Sequence, residues 1–197
     1  MTAEFLAALS LFALVSSITP GPNNLMLMAS GANFGFRPTI PHMLGIGLGF
    51  MFMLFLVGIG LIGVFDVIPY SYETLKVVSV FYLCWLAYRI ATAAAPDGSA
   101  RKGKPFTFLQ AAAFQWVNPK AWTMALTAMT LYAPDRSLFA ILIVTIVFGL
   151  MNLPSVSLWT LVGQKMQLLL TNRTRLRIFN GVMAAMLIGS LIPVVFQ

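Results

Sequence analysis

Two short polar segments interrupt long apolar runs and hold the residues best suited to bind a ligand. Residues 19–24 read TPGPNN, and residues 115–120 read QWVNPK. In both segments proline stands beside amide side chains, and Lys120 adds a positive charge. Proline frees backbone groups from helical hydrogen bonds, so each segment offers unpaired donors and acceptors. These groups predict a site for an anion, such as the carboxylate of a solute.

Each segment also has the pattern that begins a helix. Asn118 is a preferred N-cap residue, and Pro119 at the first helical position sacrifices no hydrogen bond. In the first segment either Pro20 or Pro22 provides an equivalent start. Two half-helices would then point their positive N-terminal ends at the middle of the membrane, where free N–H groups hold an anion.

Lys120 needs a counter-charge. Roughly 15 Å of hydrocarbon separates the bilayer centre from either interface, and an unpaired lysine at the centre costs about 3 kcal/mol. The acidic residues all lie at termini, in loops or near the ends of apolar runs, namely Glu4, Asp66, Glu73, Asp97 and Asp135. Two interpretations remain open: a bound solute supplies the negative charge, or the ammonium group donates to backbone carbonyls that the break has freed.

Further polar residues lie at a similar depth. Gln115 and Asn118 are three apart on one helix face, and Asn152 with Pro154 predicts another polar break in the fifth apolar run. Such side chains either bond across helices or line a wet cavity, and the sequence favours neither. The candidate substrate-binding residues are therefore Thr19, Pro20, Gly21, Pro22, Asn23, Asn24, Gln115, Asn118, Pro119, Lys120 and Asn152.

The composition determines which elements carry these segments. Of 197 residues, 59% are hydrophobic and 9% charged, and the mean hydropathy is +0.89, which excludes a soluble globular domain. Six apolar runs can each cross the hydrocarbon core, which takes about 20 residues. They are Phe5–Phe36, Pro38–Phe65, Val77–Tyr88 extended by Arg89, Pro105–Pro134 read through Lys120, Ser137–Gln164 and Ile178–Gln197. We expect an all-α integral membrane protein with six transmembrane helices, the first and fourth of them broken.

The basic residues are unevenly distributed between the predicted loops. The net charge is +7, and most of the lysines and arginines fall on one side of the predicted membrane. They are Arg37, Arg89, Arg101, Lys102, Lys104, Lys165, Arg173, Arg175 and Arg177. The positive-inside rule places these loops in the cytoplasm and both termini outside it. The positive charge thus indicates membrane orientation, and we expect no nucleic-acid partner.

A charged linker divides the single membrane domain, residues 1–197, into two parts. Residues 95–105 read APDGSARKGKP and separate a first half, 1–94, from a second half, 106–197, with three predicted spans each. An odd number of spans gives the halves opposite orientations, as in inverted repeats. The two polar segments fall near the middle of the first and fourth runs, so corresponding spans are broken at corresponding depths.

Other residues favour packing over chemistry. Two pairs of glycines four apart, Gly31 with Gly35 and Gly45 with Gly49, suit close helix contact within the bundle or between the subunits of a homodimer. The single cysteine, Cys84, can form neither an intramolecular disulfide nor a metal cluster. We therefore expect no metal ion and no cofactor.

Short motifs along the chain form a familiar combination. They are TPGPNN in the first span with Gly35 and Arg37 after it, GIGLGF in the second, LK and YLCWLAYR in the third, and NPKA in the fourth. Over nearly the whole chain this pattern resembles the LysE/RhtB family of amino-acid exporters, and within it the members that export cysteine and O-acetylserine or neutral amino acids. The family usually has glycine where this chain has Ser79, and Pro38, Pro41 and His42 are also unusual.

The resemblance implies a bacterial inner-membrane carrier that expels amino acids or close derivatives. The expected partners are an amino-acid substrate, protons and the lipid bilayer. We expect a secondary exporter whose two halves rock about a midplane site in alternating access. An amino-acid-permeable channel or a non-transporting membrane scaffold is the alternative. An intramembrane enzyme is disfavoured, because Ser30 and His42 lack an acidic partner at that depth.

Overall fold

The computed structural model describes residues 2–61, 69–93, 104–170 and 172–192, and most of the predicted linker lies outside them. The described residues form helices and connecting segments but no strand, as the composition predicts. The helices are α1 (Ala3–Ile18), α2 (Pro22–Phe34), α3 (Phe36–Leu56), α4 (Ser71–Ala91), α5 (Phe108–Phe114), α6 (Pro119–Tyr132), α7 (Leu138–Met166) and α8 (Arg173–Gly189). A π-helical turn, Val57–Leu61, extends α3, and a 3-10 turn, Gln115–Val117, joins α5 to α6.

The first predicted break separates α1 from α2. Thr19 and Gly21 both have extended backbone conformations, and the two helices are bent by 57°. A residue that precedes proline avoids the helical region, and each of these two residues precedes a proline, so α1 cannot continue. Of the two starts that the sequence allows, the structure uses the second, with Gly21 as N-cap and Pro22 as the first helical residue.

The second predicted break separates α5 from α6. The 3-10 turn ends at Asn118, whose backbone is extended because Pro119 follows it. Asn118 then caps α6, since its Oδ1 accepts the backbone N–H of Lys120 at 3.2 Å. Both breaks therefore begin a new helix with proline at its first position, which confirms the predicted half-helices.

The third predicted break, at Asn152 and Pro154, is wrong. Helix α7 runs without interruption from Leu138 to Met166, and Pro154 lies inside it. A single proline removes one backbone hydrogen bond, which a membrane helix tolerates, whereas the first break has two prolines around a glycine. Asn152 therefore projects from an intact helix.

The described residues contain fewer long apolar helices than the six spans expected. Three can cross a membrane by length and composition, Phe36–Leu61, Glu73–Ala91 and Leu138–Met166, and the bent pair Ala3–Ile18 with Pro22–Phe34 makes a fourth if it is one span. The break leaves α5 with 7 residues and α6 with 14, and α8 has 17, so each alone is shorter than the usual span of about 20. The helical membrane class is confirmed, whereas the six-span inverted repeat stays a prediction.

Glycines bring helices into close contact inside the bundle. A Cβ on Gly31 would strike the backbone of α7, and a Cβ on Gly163 would strike the backbone of α2. Gly45 and Gly49 lie equally close to α5, while Gly35 makes no such contact and ends α2 with a φ of 85°. These glycine faces are used within one chain, so they no longer argue for a homodimer, which stays an untested prediction.

The basic ends of several helices gather at one end of the bundle. There the backbone N–H of Phe36 donates to Gln164 Oε1 at 2.8 Å, which joins the start of α3 to the end of α7. Asn180 of α8 bonds to Asn33 of α2 at 3.2 Å and to the carbonyl oxygen of Ala93 after α4 at 3.4 Å. This basic end carries Arg37, Arg89, Lys104, Lys165 and Arg173. By the positive-inside rule it is the end expected in the cytoplasm.

We predict that Gly163→Ala destabilises the protein, because the added methyl group would overlap the carbonyl oxygen of Met28 in α2. Relief of the overlap requires a backbone shift, which costs about 1–3 kcal/mol. Gly181→Ala is the matched control, since the Cβ position of this α8 residue is open and alanine favours helix. Thermal unfolding of the purified protein in detergent measures both variants. Equal melting temperatures would contradict the close contact of α2 with α7.

Candidate solute-binding site

Lys120 lies at the start of α6 and reaches across to the end of α1. Its ammonium group donates to the carbonyl oxygen of Thr19 at 2.7 Å, to Thr19 Oγ1 at 2.9 Å and to the carbonyl oxygen of Pro20 at 3.5 Å. The C-terminal end of a helix carries a partial negative charge, so α1 is also an electrostatic partner. The structure thus shows the interpretation in which the ammonium group of Lys120 donates to carbonyl groups that the break has freed. A solute as the counter-charge of Lys120 stays a prediction.

Gly21 allows Lys120 to cross the break. A Cβ at Gly21 would come within 2.6 Å of Lys120 Cδ and 3.2 Å of Nζ. The backbone of Gly21 is extended, a conformation open to any residue, so the requirement for glycine here is steric. The lysine side chain packs directly on the bare backbone between α1 and α2.

Other side chains satisfy the remaining carbonyl groups at the end of α1. Asn24 Nδ2 donates to the carbonyl oxygens of Ser17 at 2.7 Å and Thr19 at 2.8 Å. From α7, Ser155 Oγ donates to the same Ser17 oxygen at 2.8 Å, and the indole N–H of Trp159 donates to the next carbonyl along α1 at 3.0 Å. Unpaired carbonyl groups are costly away from water, so these donors stabilise a helix end inside the bundle.

The start of α2 keeps free hydrogen-bond donors. Among the described residues, no group accepts from the backbone N–H of Asn23 or Asn24, and α2 has no side-chain cap. The start of α6 differs, because Asn118 caps the backbone N–H of Lys120. Free N–H groups at a helix start attract anions, so of the two helix starts that of α2 has more donors available to an anion.

An amide pair joins the two breaks. Asn23 Nδ2 donates to Gln115 Oε1 at 2.8 Å, and Gln115 Nε2 donates back to Asn23 Oδ1 at 3.1 Å. Gln115 is 0% exposed and also donates to the carbonyl oxygen of Ala111 at 2.9 Å. The pair holds the start of α2 against the 3-10 turn that precedes α6.

A small polar cavity lies between the breaks. Its volume is about 30 Å³, enough for a water molecule but not for an amino acid. Asn152 faces it from α7, and its Oδ1 is buried without a hydrogen-bond partner. The amide nitrogen of Asn152 makes one long hydrogen bond, 3.5 Å to Ser17 Oγ. A residue in the cavity wall therefore carries a buried acceptor that no described residue satisfies.

The structure brings most of the predicted site residues together. The predicted residues that line the cavity are Gly21, Asn23, Asn24, Asn118, Lys120 and Asn152. Thr19 and Pro20 bond to the ammonium group of Lys120, Pro22 and Pro119 begin the half-helices, and Gln115 bonds to Asn23. These positions are compatible with a binding site, and the binding roles themselves stay predictions.

Sequence reasoning missed the residues that cap α1 from α7. Ser155 and Trp159 bond across the break, but serine and tryptophan are ordinary residues in an apolar span. Their spacing was the available signal, because Asn152, Ser155 and Trp159 lie at i, i+3 and i+7 and so share one helix face. That face of α7 meets the end of α1.

We predict that Asn23 and Gln115 are energetically coupled. Changing either to leucine leaves the other amide without its partner, which costs about 1–3 kcal/mol. The double variant Asn23→Leu/Gln115→Leu removes both amides, so its loss of stability should be smaller than the sum of the single losses. Thermal unfolding of the four proteins in detergent gives the coupling. Additive losses would contradict the amide pair as the link between the breaks.

Comparison with known proteins shows which family this chain belongs to. The sequence model of the family described as LysE type translocator matches residues 14–192 of this chain. The chain is 33% identical over 171 residues to the cysteine/O-acetylserine efflux protein of Salmonella typhimurium, which covers 85% of this chain and 86% of that protein. It is 30% identical over 192 residues to the cysteine/O-acetylserine efflux protein of Escherichia coli (strain K12), which covers 95% and 96%.

No solved structure matches the chain significantly. The family match spans both helix breaks and the residues that surround the cavity. This protein therefore belongs to the LysE type translocator family, and it is a multi-pass membrane transporter rather than an enzyme.

Proposed function

We propose that the protein exports amino acids or close derivatives through a site between the two helix breaks. The observation that carries the proposal is the composition of the cavity there. The start of α2, the ammonium-bearing Lys120 and Asn152, whose side-chain oxygen is buried without a described partner, all line one space. An amino acid carries a carboxylate and an ammonium group, and this space offers complementary groups for both.

The carboxylate is expected to bind at the start of α2 beside Lys120. No described residue accepts from the backbone N–H groups of Asn23 and Asn24, and Lys120 Nζ lies over the neighbouring Gly21. A carboxylate carries a full charge, whereas the end of α1 offers a partial one, so a solute would compete for the ammonium group. Binding would then loosen the contact between Lys120 and α1, which links solute binding to helix movement.

The ammonium group of the solute is expected at Asn152. Its Oδ1 is a buried acceptor without a partner, an arrangement that costs about 1–3 kcal/mol and that a bound donor would relieve. The carboxylate and ammonium positions would then lie on α2 and α7, which belong to different predicted halves. A solute held at both ends would bridge the halves.

Transport requires the site to open, because a cavity of about 30 Å³ cannot admit an amino acid. We propose alternating access by six spans in two inverted halves, residues 1–94 and 106–197. The helix contacts support this division, in which α1 corresponds to α5, α3 to α7 and α4 to α8. Helix α1 packs on α7, and its counterpart α5 packs on α3. The counterparts α3 and α7 pack on each other, and so do α4 and α8. Helix α2 departs from the symmetry, because it packs more extensively on α7 than α6 packs on α3.

The substrate class is proposed from the relatives. Both proteins compared above are cysteine/O-acetylserine efflux proteins, so we propose a small neutral amino acid of this kind. The bacterial inner membrane, with the basic end in the cytoplasm and both termini outside, is the proposed location. Proton coupling is proposed from the resemblance alone.

Counterflow in proteoliposomes tests this function against its rivals. Vesicles that hold the purified protein are loaded with unlabelled O-acetylserine and then given a trace of labelled O-acetylserine outside. A carrier exchanges the two and accumulates label transiently, whereas a channel only equilibrates the label and a scaffold passes none. Failure to accumulate label would reject the carrier for this solute class.

We predict that Lys120→Met lowers counterflow by about tenfold or more, because a charged hydrogen bond to the carboxylate is lost. Lys165→Met is the control, since it removes an exposed charge at the basic end, away from the cavity. Both variants are compared at equal amounts of reconstituted protein. Undiminished counterflow by Lys120→Met would remove this residue from the mechanism.

We predict that Asn152→Leu raises the solute concentration for half-maximal counterflow by about tenfold, because the acceptor for the solute ammonium group is lost. Thr145→Val is the matched control. Its hydroxyl is also buried and unpaired on α7, but it is not among the described residues that line the cavity. A similar rise in both variants would indicate altered packing of α7 and would contradict a binding role for Asn152.

A further inference from the structure

A second, larger cavity lies at the basic end of the bundle. Its volume is about 270 Å³, compared with about 30 Å³ at the breaks, so it has room for a small amino acid. Its wall comes from α2, from His42 of α3, from the end of α4 and from the segment that leads into α5. None of the predicted binding residues lines it.

The wall of this basic-end cavity is cationic. Arg89 at the end of α4 and Lys104 before α5 both line it, and none of the described lining residues is acidic. The guanidinium group of Arg89 lies 5.4 Å from the ring centroid of Trp85, within the range of a cation–π contact. Ser30 and Asn33 of α2 add polar groups. Two cations without a carboxylate favour an anionic ligand.

His42 forms part of the same wall and has no partner within the described protein. It is 1% exposed, and neither ring nitrogen makes a hydrogen bond. Its ring packs against Phe106, with 5.3 Å between the centroids. A neutral histidine has one donor and one acceptor, and leaving them buried and unpaired is unfavourable. A polar ligand that displaced Phe106 would supply the missing partner.

One face of α2 leads from this cavity to the breaks. Met26, Ser30 and Asn33 line the basic-end cavity, while Asn23, one turn before Met26 on the same face, lines the smaller one. Three residues of helix span about 4.5 Å. Met26 is 3% exposed and packs in the hydrophobic core, so a single helical turn separates the two cavities.

We propose that the basic-end cavity is a separate docking site for the carboxylate of an amino acid. Arg89 and Lys104 bind the carboxylate, and His42 contacts the rest of the solute when Phe106 moves aside. The choice of an amino acid as the ligand rests on the proposed function. Recognition of the carboxylate rests on the cavity alone.

Protection of a cysteine in the cavity wall from labelling tests the proposal without any transport. Thr92 lines the cavity and is exposed, and Cys84 is the only native cysteine. Thr92→Cys is therefore introduced together with Cys84→Ser, and the rate of maleimide labelling is measured on the purified protein in detergent. O-acetylserine is the probe, and its methyl ester, which lacks the carboxylate, is the matched control ligand.

We expect O-acetylserine to slow the labelling and its methyl ester to have little effect. Arg89→Gln/Lys104→Gln should raise the half-protecting concentration of O-acetylserine by about tenfold or more. Arg37→Gln/Lys165→Gln removes the same charge from the basic end outside the cavity, so it should leave protection unchanged. No protection, equal protection by the ester or an equal shift in both double variants would overturn the docking site.

The result separates this proposal from the exporter proposal. Protection by O-acetylserine together with a failed counterflow experiment would support the docking site and reject the carrier for this solute. Counterflow without protection would reject the docking site and leave the carrier standing.

Discussion

A helix that ends inside a bundle leaves carbonyl groups that need hydrogen-bond donors, and much of this structure is arranged around such an end, that of α1. The donors that satisfy the end of α1 come from α2 through Asn24, from α6 through Lys120, and from α7 through Ser155 and Trp159. Hydrocarbon offers no substitute for them. Four helices must therefore meet at one point, and the polar cavity lies at that point.

The same arrangement explains how the bundle holds a cation between the two breaks. The ammonium group of Lys120 bonds to oxygen atoms of Thr19 and Pro20 at the negative end of α1. The charge at a helix end is about half an elementary charge, so it stabilises the lysine less than a carboxylate would. In the proposed function the lysine is held in place by these bonds and exchanges them for a stronger anion, the carboxylate of the solute. A transporter site needs both properties, since it must be stable when closed and must respond to its solute.

The two cavities differ in the kinds of polar group that line their walls. The wall at the breaks combines amide side chains with one lysine, and the start of α2 adds backbone donors. The wall at the basic end carries Arg89 and Lys104, which are exposed side chains. If the exporter site and the docking site both act, an exported solute would meet the exposed charges at the basic end first and the enclosed amides later, so it would lose its hydration in stages. Each cavity is lined by one residue that has a buried polar group without a described partner. This residue is Asn152 at the breaks and His42 at the basic end.

The sequence by itself determined the membrane class and the positions of the two helix breaks. These follow from composition and from the backbone limits that proline places on itself and on the residue before it, which act locally. Only the tertiary structure decided which groups pair. Asn23 meets Gln115 across 92 positions, Ser155 meets the end of α1, and Pro154 stays within an intact helix. The basic-end cavity likewise joins α2, α3, α4 and the segment before α5. Such contacts depend on how helices distant in sequence pack together, and helical periodicity shows which face a residue lies on but not what that face will meet.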